Sequence, residues 1–150
     1  MAEKLRLKAV DADDLAVIAA CLQDALVPLS EMAYLAPERR FMAAFTRFRR
    51  ECLPDPTSPE GLTQCQSVLT FEELESVKHH GLDPRLGGVR LELLTIMADK
   101  VNDGFDVTLL FAGDIAIRLH VREISATLVD FGEPWPAPAA PVHPLEPAEG

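Results

Sequence analysis

At 150 residues, with 48% hydrophobic and 25% charged side chains, the chain has the make-up of one ordinary globular domain, which favours neither the disordered nor the membrane-spanning class. A formal net charge of −10 sets its averaged field against phosphate-rich partners, so nucleic acid and anionic membranes are disfavoured. Cys21, Cys52 and Cys65 are odd in number and widely spaced with no C-x-x-C, which argues against a disulfide framework and a thiolate metal cage.

The first residues alternate charge with leucine and lack the apolar stretch of a secretory leader, and no apolar run approaches the ~20 residues of a membrane span. A cytoplasmic location is expected. Leu5, Leu7 and Ala9 alternate with Arg6, Lys8 and Val10, the period of a half-buried strand. Asp11 then offers an N-cap, with Asp13 and Asp14 in the first turn. Leu15, Ile18, Ala19, Leu22, Ala25 and Leu26 follow at helical spacing, and Pro28 ends that helix.

Residues 28–35 and 40–48 read as a β-hairpin around the Ala36-Pro37-Glu38-Arg39 turn. Residues 53–61, with three prolines and a glycine, read as an exposed loop. Cys65, Ser67, Leu69 and Phe71 share one face of the next strand, and Glu72-Glu73 interrupts it before residues 74–80 resume. Residues 89–97 form a strand, followed by turns at Asn102-Asp103-Gly104 and Ala112-Gly113-Asp114 that join strands over 105–111 and 115–121. Val121, Ile124, Leu128 and Phe131 then return to helical spacing, which predicts a last helix stopping at Gly132, with a strand as the alternative. Half of the prolines lie in residues 133–150, which read as an extended tail.

These elements predict an α+β fold: an antiparallel curved sheet or partly open roll of about seven strands, pleckstrin-homology-like in element order, with an N-terminal helix and a C-terminal capping helix. Residues 1–132 form the expected domain.

The departure from the average composition is Arg39, Arg40, Arg47, Arg49 and Arg50, a run in which no carboxylate falls between the first and the last. Guanidinium forks suit a carboxylate, a phosphate or the acidic patch of a partner, and Phe41, Phe45 and Phe48 could add stacking surface. The alternative is a strand face paired with Glu72, Glu73 and Glu75 over a phenylalanine core. His79 and His80 would point to opposite faces of a strand and so not chelate one metal, and His120 reads as exposed. Cys21 and Cys65 read as small buried hydrophobes. Asp13-Asp14 is explained by capping and Glu72-Glu73 by a bulge, and no nucleophile, zinc-protease, phosphate-loop or dinucleotide motif is present. Trp135 either folds back on the domain or anchors a partner.

Three stretches carry a family resemblance: residues 11–20 with Gln23-Asp24-Ala25, residues 33–41 with Arg47-Phe48, and residues 109–135. In their order and spacing the chain resembles an uncharacterised alphaproteobacterial family, domain-of-unknown-function family 2948. The resemblance implies no activity, no cofactor and no site residues. From the residues themselves, the expected role is a non-enzymatic binding or adaptor module whose basic edge, Arg39, Arg40, Arg47, Arg49 and Arg50, meets an acidic protein or a small anion. An enzyme using His79, His80 or Glu73 as base in a sheet pocket, and a homodimeric structural protein, are the alternatives.

Overall fold

The computed structural model describes residues 4–86 and 88–137. In chain order its elements are β1 (Arg6–Ala9), α1 (Ala12–Cys21), β2 (Leu26–Pro28), β3 (Met32–Leu35), β4 (Arg40–Phe48), β5 (Thr63–Phe71), β6 (Leu74–His80), β7 (Arg90–Val101), β8 (Gly104–Phe111), β9 (Ile115–Val121) and β10 (Ala126–Pro136). Every pairing is antiparallel, in the order β1-β10-β5-β4-β2-β7-β8-β9-β6, with β3 also beside β4.

Asp11 starts the helix, its carboxylate accepting from the Asp14 amide at 2.8 Å with Asp13 and Asp14 in the first turn. Leu15, Ile18, Ala19 and Leu22 sink into the core. The helix ends before the reach of its apolar spacing, because β7 captures the following backbone: the Asp24 amide donates to Leu93 O at 3.0 Å and the Leu93 amide to Ala25 O at 2.9 Å. Leu26 therefore belongs to β2, paired with Thr46 on one side and Glu92 on the other.

The sheet turns where two chain bends coincide. Glu73 adopts a left-handed φ of 59° between β5 and β6, and its carbonyl accepts from the Arg122 amide while the Glu72 amide donates to Ser125 O. Both β5–β6 and β9–β10 thus bend at one place, wrapping the apolar face around Phe45, Phe71, Phe111, Leu69, Leu109 and Leu119.

The expected fold class is corrected. Ten strands are present and α1 is the one α-helix among the described residues, so the chain is mostly sheet and not a seven-stranded α+β roll of pleckstrin-homology-like order. Where the capping helix was expected, Val121 ends β9, residues 122–125 form the connection, and Ala126 begins a strand, β10, flanked by β1 and β5. Ile124, Ala126, Leu128 and Asp130 are buried in strict alternation, whereas Phe131, which completed the helical spacing, is exposed. Asp130 concealed the period of two because a carboxylate at a core position reads as a solvent position. Gly132 lies in an irregularity of the β10–β5 register between Phe131 and Trp135 instead of ending a helix. The strand continues to Pro136, paired with Thr63, so the beginning of the expected tail is part of the sheet; residues 138–150 lie outside the described residues.

Candidate functional site

The five arginines of the sequence run do not converge. Arg40 and Arg47 begin and nearly end β4, about 23 Å apart at ~3.3 Å per residue. At the first end, Arg39 pairs with Glu75, and Arg40 Nε donates to Glu72 Oε1 at 3.1 Å. At the other, Arg50 Nη2 meets Asp24 Oδ2 at 2.9 Å, and Arg49 is buried with Nη1 on Thr63 Oγ1 at 3.0 Å.

Arg47 presents no surface at all, its side chain being 0% exposed, so its expected place on a binding edge is corrected. Its Nε and Nη2 donate to Asp130 Oδ1 and Oδ2 at 3.0 and 2.8 Å, and its Nη1 and Nη2 to Glu51 Oε1 and Oε2 at 3.1 and 2.9 Å. Ser67 Oγ donates to Asp130, whose Oδ2 also accepts from the Leu5 amide at 3.0 Å. Burial pushes the Asp130 carboxyl up, but the donors from Arg47, Ser67 and Leu5 outweigh it and hold the group at about 2. This array ties β1, β4, β5 and β10 together and uses every donor it has; it is a structural pin.

An unneutralised pair of cations stands elsewhere, on the outer face of β6, β9 and β8. Lys78 lies directly opposite Arg118, which lies opposite Thr108. In the next row are Ser76, His120 and Asp106. The opposite faces of these strands carry Val77, Leu119, Ile117, Val107 and Leu109 toward the core, so the alternation of side chains puts the polar set outward. Among the described residues neither the Lys78 nor the Arg118 side chain forms an ion pair or hydrogen bond with the protein. Like charges facing each other across strands repel, and this chain has carboxylates in excess with which to neutralise them. Two adjoining hollows of about 160 and 200 Å³ lie over the pair, the first also lined by Ser76, Asp106 and His120 and the second by His79, His80 and Thr108.

His120 faces a carboxylate from each ring nitrogen. Its Nδ1 is 3.0 Å from Asp106 Oδ1 and its Nε2 is 3.4 Å from Asp103 Oδ1. The hydrogen bond to Asp106 raises its pKa above the ordinary value, against a smaller opposing effect of burial, with Asp103 adding to the rise. With both ring nitrogens facing carboxylates, Ser76 across the strand lacks the base that a serine nucleophile requires.

His79 and His80 end β6 at the surface, as alternating neighbours on opposite faces of the strand. Glu73 sits at the β5–β6 bend, apart from both hollows. Cys65 is buried and Cys21 half-buried, and burial pushes both thiols up. Trp135 folds back: its Nε1 donates to Gln64 Oε1 at 3.1 Å. Sequence reading passed over Lys78 and Arg118 because isolated cations on an outward strand face look ordinary; the signal is their cross-strand register, which one-dimensional spacing does not carry.

Fold and groove together define a small antiparallel β domain with one capping helix and a cationic groove on the outside of its sheet. The chain belongs to the family described as Protein of unknown function (DUF2948), which matches residues 5–143. No curated protein and no solved structure matches it. Among the described residues no helix is long and apolar enough to cross a membrane.

Proposed function

We propose that this domain is a binding module for a small oxyanion, a carboxylate or a phosphate, seated between Lys78 and Arg118. The observation that carries this reading is the like-charged pair in direct cross-strand register, neither side chain ion-paired among the described residues while the neighbouring Asp106 is taken up by His120, in a chain of net charge −10. Arg118 supplies a planar fork and Lys78 a point charge, while the Thr108 hydroxyl adds a neutral donor in the same row. Binding is favoured over acid–base chemistry because both ring nitrogens of His120 are engaged by carboxylates and neither faces Ser76. The groove takes the role first expected of the arginine run, since Arg39, Arg40 and Arg50 already face Glu75, Glu72 and Asp24.

The test is a titration of the ¹⁵N-labelled protein with inorganic phosphate and with acetate, followed by amide shifts. Saturable shifts confined to β6, β8 and β9 are expected, weakening with added chloride and abolished in Lys78→Glu/Arg118→Glu. Shifts centred on Arg39 and Arg40, or none at millimolar anion, would refute the assignment.

A further inference from the structure

β6 is an edge strand. β9 pairs with it on one side, and on the other, among the described residues, Leu74 is engaged by Arg39, its amide donating to Arg39 O and its carbonyl accepting from Arg39 Nε. β3 is likewise paired on one side only, with β4. Between these two open edges lies a cleft of about 310 Å³, lined by Met32, Tyr34, Phe41, Val77, Leu82 and Ile117 and almost wholly apolar. His79 lines this cleft and also the cationic hollow of Lys78 and Arg118, so the two adjoin around a single strand with no further strand between them.

We infer that the anion bound at Lys78 and Arg118 carries an apolar chain that passes over the β6 edge into this cleft: the ligand is an aliphatic carboxylate of medium length. The inference rests on the oxyanion reading above and adds the identity of the rest of the molecule. The occupant follows from the two surfaces in contact, a cation pair that selects a charged head and an apolar cleft that selects a hydrocarbon. At about 310 Å³ the cleft has room for a chain of several carbons. A peptide strand satisfies the open edges but brings no reason for its charge to fall on Lys78 and Arg118, and a chainless anion leaves the cleft unfilled.

Calorimetry with octanoate and acetate, both below micellar concentration, tests it. Burying a methylene is worth about fourfold in affinity, so octanoate should bind at least about tenfold more tightly than acetate even if only part of its chain enters. Ala33→Trp places an indole in the cleft from an exposed position that no core contact depends on, and should reduce octanoate to the affinity of acetate while leaving acetate unchanged. Met32→Asp should do the same by charge, and Lys78→Glu/Arg118→Glu should abolish both ligands. Equal affinity for the two anions, or octanoate binding insensitive to both cleft variants, would overturn the inference while leaving the oxyanion site standing. Loss of neither ligand in Lys78→Glu/Arg118→Glu would overturn that reading as well.

Discussion

Removing the Asp130 carboxylate tests whether a buried ionic pin holds the sheet. In Asp130→Ala the wholly buried Arg47 guanidinium loses its two shortest-range partners on that side, and Ser67 Oγ and the Leu5 amide lose their acceptor. Breaking such a pair from one side typically costs about 3–5 kcal/mol, because the remaining charge stays out of water. Against a total stability of about 5–15 kcal/mol this is a large fraction of what keeps the domain folded. Glu51, whose side chain is 44% exposed, is the contrasting partner, and Glu51→Gln should cost about 0–1 kcal/mol. Replacing both charges, as Arg47→Met/Asp130→Leu, removes the stranded ion and should recover most of the loss. Urea unfolding followed by the single tryptophan, Trp135, measures all three variants against the wild type, with circular dichroism as a second probe because Trp135 itself lies on β10. An Asp130→Ala cost under about 1 kcal/mol, or a double variant no more stable than the single, would refute the reasoning.

The same carboxylate makes an acid prediction: its pKa is depressed to about 2, so the stability it contributes is present above the ordinary value of 3.8 and lost as pH falls through about 2, which urea midpoints between pH 5 and pH 2 should follow in the wild type and not in Arg47→Met/Asp130→Leu. His120 has the opposite sign: its pKa is raised by Asp106, so its contribution is complete below the ordinary 6.5 and is lost as pH rises through the higher folded value, and the NMR titration midpoint of its ring should fall in Asp106→Asn. Cys52 is exposed, Cys65 buried and Cys21 half-buried, so Ellman's reagent should label Cys52 rapidly in the native protein and Cys65 only on unfolding. Gly104 has φ +145° at the β7–β8 turn, where an added Cβ would meet Val121 O at 2.1 Å; Gly104→Ala should lower the urea midpoint by at least about 2 kcal/mol equivalent.

Local chemistry read from the chain holds wherever a residue's neighbours in sequence are also those that decide its state. Asp11 caps α1, the Pro37 turn joins β3 to β4, and Gly113-Asp114 joins β8 to β9, all as their spacing indicates. Alternation in residues 105–111 and 115–121 is that of β8 and β9, whose two faces have different solvents. What failed depended on partners distant in the chain. Arg47 and Asp130, 83 residues apart, each look like solvent positions, and only their meeting inside the sheet makes both buried; missing it turned a strand into a helix and an internal pin into a surface edge. Ala25 and Leu26 fit the helix, yet the backbone of Leu93 draws them into the sheet. Lys78 and Arg118 become a site through register alone, since strand pairing sets which outward side chains stand together. Composition, turn chemistry and the period of the outer strands were thus determined by the sequence itself, while the charge pairing, the last strand and the groove were decided by long-range antiparallel pairing, which brings together residues whose separation along the chain hides their common environment.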